Sequence, residues 1–402
     1  MRNVFLTFLR LGLTSFGGPI AHIGYFRREF VERRGWIDER LFAHIVGFCS
    51  VLPGPTSSQV GMIVGLLRAG PGGALAAWLG FTLPSALALT VFAAVLTTLE
   101  DRAGPTAPAL GGMLAGLSAA ATAIVAQAVL AMAKTQCSDR ATRTIAAGAA
   151  VLALALAAAP GWQWVPIVAG ALAGTLFCSP AAGSAAPETT LPIALPRAAS
   201  RAAGLLFVAL ALTATLGANA SATGFFLATI VRAGALVFGG GHVVLPLLQS
   251  LVPAGLIAGR DFYAGYGAAQ AVPGPLFTFA AFLGAANHSE LHGPLGALVA
   301  TVLIFVPSFL LIFAFLPVLD RLRANPAAAG ALSGANAGVV GLLAALLYSP
   351  LLLTLGTSFV RVAIAVGAFT LVTVWKSPPW IAVVLAAAGG AAAAAAGWPA
   401  AR

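Results

Sequence analysis

Residues 74–99 form a run of 26 positions without one charged side chain. As a helix it would reach about 39 Å, more than the roughly 30 Å hydrocarbon core of a bilayer. A soluble domain has no place for such a run, and further apolar stretches lie at 109–133, 144–159, 164–177, 202–216, 295–318, 327–347, 358–375 and 380–396. In lipid every backbone amide must be bonded within its own segment or in a closed barrel. The ~10-residue alternation of an outer-membrane barrel is absent, which leaves helices. The expected fold class is an all-α integral membrane protein. Composition agrees: 8% of the residues are charged, against about 25% in soluble domains.

The net charge of +10 could suggest nucleic acid. Most of the arginines and lysines cluster in the loops, however, where the positive-inside rule places them. The expected partner is the lipid bilayer, with no nucleic acid. The first ten residues lead into an apolar stretch with no small-residue cleavage site, so no cleavable signal is expected. The bacterial inner membrane is the natural location, with the chain crossing it many times. Cys49, Cys137 and Cys178 have no metal-ligand spacing, and no metal, cofactor or redox chemistry is expected. No GxxxxGK[ST] motif occurs, so any transport must draw on an ion gradient, the membrane potential or a partner protein. Nothing in the residues sets the oligomeric state, which leaves a homodimer open.

Four interruptions organise the apolar segments. Gly17-Gly18-Pro19 and Gly239-Gly240-Gly241 break two of them, and Pro53-Gly54-Pro55 and Pro273-Gly274-Pro275 break two more. Proline lacks an amide proton and pushes the preceding residue out of the helical region. Phe8-Leu9-Arg10-Leu11-Gly12 matches Ile230-Val231-Arg232-Ala233-Gly234, Phe16-Gly17-Gly18 matches Phe238-Gly239-Gly240, and Pro84-Ser85 matches Pro307-Ser308, all in one order. The chain therefore reads as two repeats: 1–178, a Pro/Ala/Ser-rich linker at 179–201, a connecting transmembrane helix at 202–217, and 218–402. If each proline pair joins re-entrant half-helices, Lys134, Arg140, Arg143, Arg197, Arg201, Arg321, Arg323 and Lys376 share a side with the arginines of 27–40. The odd span then inverts the second repeat. The expected architecture is two inverted-topology repeats whose broken, re-entrant helices meet at the membrane midplane.

Paired breaks at matching positions of inverted halves point to a transporter's binding site. A helix beginning after a proline offers free amides and a positive dipole end to an anion. Thr56, Ser57, Ser58 and Gln59 follow the first break, Thr278 follows the second, and Gln270 precedes it. Ser15, Gly17, Gly18, Gly239 and Gly240 complete the candidate backbone and hydroxyl donors. Arg10 and Arg232 lie inside apolar segments, where an ionisable group is a functional candidate, the alternative being snorkelling to the interface. His22 and His242 stand near the glycine breaks as ligand donors or proton carriers, or as packing residues. All eleven acidic residues fall in loops, the linker or segment ends. With no carboxylate in the bundle, the cargo is expected to be an anion.

These residues also carry a family resemblance. The stretch from Thr14-Ser15-Phe16-Gly17-Gly18-Pro19 to His22, then Gly24-Tyr25-Phe26-Arg27-Arg28-Glu29-Phe30-Val31 and Leu52-Pro53-Gly54-Pro55-Thr56-Ser57-Ser58-Gln59, resembles the first domain of the chromate ion transporters. Val237-Phe238-Gly239-Gly240-Gly241-His242 with Pro273-Gly274-Pro275 is similar to the second. The resemblance implies a two-domain bacterial membrane protein that exports chromate, confers resistance and is driven by the proton-motive force. Ser50 departs from the glutamine often found three residues before the first Pro-Gly-Pro; Gln270 holds that place in the second half. Transport of sulfate or another oxyanion, or a passive anion channel, are the alternatives. No flavin, haem or clustered-Cys motif supports an enzyme.

Overall fold

Helix follows directly from the apolar runs, and the boundaries follow from caps and prolines. A computed structural model of the chain describes residues 1–50, 52–103, 108–157, 162–178, 195–216, 221–237, 247–248, 251–252, 255–317, 325–352, 355–356 and 358–398. The first half holds α1 (Arg2–Thr14), α2 (Gly18–Arg27) with a π turn at Arg28–Arg33, α3 (Glu39–Cys49), α4 (Thr56–Ala103), α5 (Pro108–Gln136), α6 (Arg140–Ala155) and α7 (Trp164–Phe177). α8 (Arg197–Leu216) follows. The second half holds α9 (Ala222–Leu236), α10 (Gly259–Ala271), a 3₁₀ turn at Leu276–Thr278, α11 (Phe279–Ala286), α12 (Gly293–Phe315), α13 (Pro326–Leu346), α14 (Phe359–Thr373) and α15 (Pro379–Ala395). Asp38, Asp139, Ser221, Asn325 and Ser358 cap the helices they precede, each side chain accepting from a first-turn amide.

Among the described residues five stretches are long and apolar enough to cross a membrane: Thr56–Leu99, Pro108–Gln136, Arg197–Leu216, Gly293–Phe315 and Pro326–Ser349. The molecule is a multi-pass, all-helical membrane protein. The spans expected at 144–159, 164–177, 358–375 and 380–396 are helical but shorter than full spans, at 16, 14, 15 and 17 residues. Local signals fix where three of them begin: the Asp139 capping box starts α6, Ser358 starts α14, and Pro379 opens α15. α4 is itself divided, because Ala69 (φ −150°) and Gly70 (φ 65°, ψ −162°) leave helical geometry just before Pro71.

The proline pairs do join half-helices. α3 has 11 residues and α10 has 13, which reach only about 16 and 20 Å. Neither crosses a bilayer, and each turns at Pro-Gly-Pro into a second short helical piece, 56–68 or α11 with its 3₁₀ turn.

Packing interlaces the two halves. α5 runs antiparallel to α15, with Gly112 against Gly390 and Gly116 against Ala386. α13 runs antiparallel to α7, with Gly330 and Gly334 against Gly174 and Gly170. Lipid tails are as apolar as the helices, so association depends on close backbone contact, which small residues four apart permit. A Cβ at Gly116 would lie 2.0 Å from the Ala386 carbonyl oxygen. The same pair of elements meets within each half: Gly12 of α1 abuts the Phe81 carbonyl of α4, and Gly234 of α9 abuts that of Ile304 of α12. α8 lies on α9 and α12 and buries only Ser200 and Ala214 among its residues.

A charged turn follows α2. Glu29 is buried there and accepts from Arg34 Nε (2.5 Å) and Arg33 Nη1 (2.8 Å). Burial pushes its carboxyl upward, but the bonds from Arg34 and Arg33 outweigh it and hold the acid below its ordinary range. A depressed acid stabilises above its unfolded titration range, and that contribution disappears as pH falls through the folded one. Glu29→Gln is expected to cost about 2 kcal/mol at neutral pH and to flatten the acid limb of stability. Thermal unfolding in detergent at neutral and acidic pH measures both effects; equal losses at the two pH values would contradict the assignment.

Candidate functional site

The two Pro-Gly-Pro loops are held by each other's halves. The Gly54 amide donates to the carbonyl of Val237 (2.5 Å), the residue that closes α9. The Gly274 amide donates to the carbonyl of Ser15 (3.0 Å), which closes α1. Ser15 and Val237 occupy the same place in the two repeated motifs, immediately before Phe-Gly-Gly. Each proline loop is thus bonded to the residue that ends the first helix of the other half.

Both central glycines have positive φ, 123° at Gly54 and 104° at Gly274, a region costly to any side chain. Space is also lacking. A Cβ at Gly54 would stand 2.3 Å from Ser308 Oγ, and one at Gly274 would stand 2.8 Å from Ser85 Oγ. Ser85 and Ser308 follow the matching prolines Pro84 and Pro307 inside α4 and α12. The sequence marks these serines only as part of the repeat; the structure adds them to the site.

Polar groups gather around the loops. The amide of Gln59 is bonded to the Pro55 carbonyl (2.9 Å), and its side-chain Nε2 donates to the Pro53 carbonyl (2.7 Å), bracing the first loop. Ser57 Oγ lies 3.2 Å from His22 Nδ1. His22 is buried on α2 and meets the Phe81 ring edge-on at 5.2 Å. A Cβ at Gly274 would come 3.2 Å from the Phe81 carbonyl, so His22 and Phe81 link the two clusters. Thr278 Oγ1 donates to the Pro275 carbonyl (2.7 Å) and Ser85 Oγ to that of Thr82 (3.1 Å).

Among the described residues several of these buried atoms have no partner: Ser15 Oγ, Ser58 Oγ, Thr82 Oγ1, Ser308 Oγ and Gln59 Oε1. Each unmet group costs about 1–3 kcal/mol, and such a concentration in a native interior calls for a ligand. Four are hydroxyls that can donate to an oxyanion; Gln59 Oε1 is an acceptor and suits a proton donor instead. The buried charged residues among those described are Glu29 and Arg232, so no carboxylate opposes an anion near the loops. Among the described residues no three His, Cys, Asp or Glu side chains gather as a metal site would require.

The remaining candidates separate. Arg232 is buried on α9, five residues before Val237; its Nε–H reaches the Ala228 carbonyl at 3.4 Å, Nη2 has no partner among the described residues, and the guanidinium lies 5.5 Å from the Phe225 ring centre. Its side chain thus reaches back along α9, away from the loop contact at Val237. Arg10, its match in sequence, is exposed on α1, away from the buried face of Phe8 and Leu11, and is not brought into the cluster. α8 covers α9, which explains why equal positions differ in burial. Gly17 (φ 100°) and Gly18 (φ 78°) form the turn between α1 and α2. Thr56 is half-buried at the start of α4. Gln270 is buried with its Nε2 bonded to Tyr266 Oη (2.6 Å), whereas Ser50 is exposed and donates back to the Val46 carbonyl. Gly239, Gly240 and His242 lie outside the described residues.

A membrane-embedded bundle with paired broken helices around a polar centre defines a transporter rather than an enzyme. The chain belongs to the chromate transporter family, whose model matches residues 2–175 and again 224–392. A chromate transport protein of Pseudomonas aeruginosa is 31% identical over 344 residues, covering 85% of this chain and 79% of that protein. A chromate transport protein of Cupriavidus metallidurans is 25% identical over 85% of this chain and 80% of its own length. An uncharacterized transporter of Methanocaldococcus jannaschii is 28% identical over 85% and 82%. No solved structure matches the chain.

Proposed function

We propose that the protein is a secondary transporter that exports chromate across the bacterial inner membrane. The observation that carries this reading is the cross-half pairing of the proline loops, Gly54 to Val237 and Gly274 to Ser15, beside buried hydroxyls without partners. Chromate is a tetrahedral dianion that accepts hydrogen bonds on every side. Amides at the start of α4, with Ser15, Ser58 and Ser308, would replace its water, and the buried Arg232 of α9 would add a positive field. His22, joined to Ser57, would pass a proton if export is coupled to proton entry. An interior-negative potential favours export of a dianion by about 2.3 kcal/mol per charge per 100 mV.

Support for chromate comes from the family and from relatives described as chromate transport proteins. The proposed two-repeat organisation, 1–178 and 218–402 around the linker and α8, draws on the double match to one family model and on the matched contacts of the two loops. Inversion of the second repeat is supported by the single intervening helix α8. It would let one repeat rock against the other and expose a central site alternately.

Radiolabelled chromate uptake into inverted vesicles tests this function. The expected result is saturable uptake, reduced by excess sulfate if the site selects by shape and charge alone, and abolished by an uncoupler. No uptake in vesicles with verified folded protein would remove the proposal, and non-saturating flux would make the protein a channel. Topology is tested separately in a background lacking Cys49, Cys137 and Cys178. Ser138 and Glu290 are both exposed in the structure, and cysteines placed there should react from opposite sides of the membrane. Reaction from one side would rule out the inverted arrangement.

A further inference from the structure

A cavity of about 870 Å³ runs between α7, α8, α12 and α13. That is the size of a small-molecule pocket, about 300–1,000 Å³. It extends from Arg201, Phe315 and Ala328, near the ends of three helices, to Pro53 of the first loop and Ala235 of α9. Among the described residues lining it, Arg201 is the one charged side chain, and the rest are apolar apart from the indole N–H of Trp164. It opens beside α8, whose side chains Leu205 and Val208 line it and are still more than half exposed, at 72 and 52%. An apolar cavity does not hold water, and one open to hydrocarbon takes up hydrocarbon.

The charge at its mouth specifies the other end of the occupant. α8 begins with Arg197 and Arg201 and has no acidic residue in its first turn. Cations at a helix N-terminus oppose the macrodipole, so these arginines do not serve the helix. Arg201 is exposed and makes no ion pair among the described residues. Positive charge at the rim of an apolar cleft that opens to lipid suits a phosphate attached to an acyl chain. We infer that this cleft is a binding site for an anionic phospholipid, the phosphate at Arg201 and the chain reaching the back of Pro53.

The inference does not depend on the transported ion. It is tested on the full-length protein exchanged into bilayer nanodiscs of equal phosphatidylglycerol and phosphatidylcholine, then released into mild detergent for native mass spectrometry. Wild type should retain one phosphatidylglycerol per chain, at least about five-fold over phosphatidylcholine. Arg201→Gln should bring that preference near unity. A Cβ at Gly204 would make an ordinary 3.7 Å contact with Ala314, so Gly204→Leu should fill the cleft without moving a backbone and remove both lipids. Ala331→Leu is the second filling variant should the first fail to fold, and unchanged unfolding temperature certifies either. A preference that survives Arg201→Gln, or retention that survives both filling variants, would overturn the site. So would dimers of wild type that Gly204→Leu dissociates, since a second copy would then be the occupant.

Discussion

Replacing Pro53 and Pro55 together by alanine, or Pro273 and Pro275 together, is expected to reduce chromate transport to background while leaving the protein in the membrane. With alanine at both positions, residues 39–68 can run as one helix. The glycine left at its centre costs only about 1 kcal/mol. The Gly54 amide would then turn from Val237 into the helix, and the amides of residues 56–58 would find partners within it. Loss of two or three hydrogen bonds to a charged ligand, at about 1.5–3 kcal/mol each, amounts to at least about a hundred-fold in rate. The second loop should behave alike, because Gly274 donates to Ser15 as Gly54 donates to Val237. Normal transport in both double variants would reduce the breaks to kinks in packed helices.

The largest effect on folding is expected from Gly334→Leu. A Cβ there would lie 2.0 Å from the Gly170 carbonyl oxygen and 2.6 Å from the Gly174 Cα. Both are backbone atoms of α7 and cannot swing aside as a side chain would, so the helices must part along the Gly330–Gly334–Gly338 stripe. Overpacking that flexible side chains can relieve costs about 1–3 kcal/mol, and separation of two backbones should exceed it. Against a total stability of about 5–15 kcal/mol, most of the folded protein should be lost from the membrane, as fluorescence-detected size exclusion would report. Gly148→Leu on α6 is the control, since a Cβ at Gly148 meets nothing within 4 Å. Equal yield from the two variants would contradict the close packing of α7 on α13.

The half-helices are legible because proline acts locally: the residues that forbid helix at 53–55 and 273–275 do so whatever surrounds them. The pairing across halves is not. α5, α7 and α12 are apolar almost throughout, so no stripe marks the face that packs. Gly170 with Gly174 and Gly330 with Gly334 announce close contacts in the sequence without naming a partner. Arg10 and Arg232 have matching neighbours along the chain, yet one is exposed and the other buried, because α8 covers only the second. Ser85 and Ser308 escape notice because a lone helical serine commonly bonds to its own preceding turn, as Ser85 does to Thr82. Their meaning emerges once Gly274 and Gly54 are found against them. The short helices α6, α7, α14 and α15 look like full spans in hydropathy because flanking turns are also apolar; only capping residues show where helix ends.

Equilibrium binding of radiolabelled chromate to the purified protein tests the central claim most directly, because it separates the site from the driving force. If the two proline loops build one site across the halves, wild type should bind one chromate per chain. The Pro53/Pro55 and the Pro273/Pro275 double variants should each lose that binding entirely, although each leaves the other loop intact. Two chromates per chain, with one surviving each loop variant, would contradict the account.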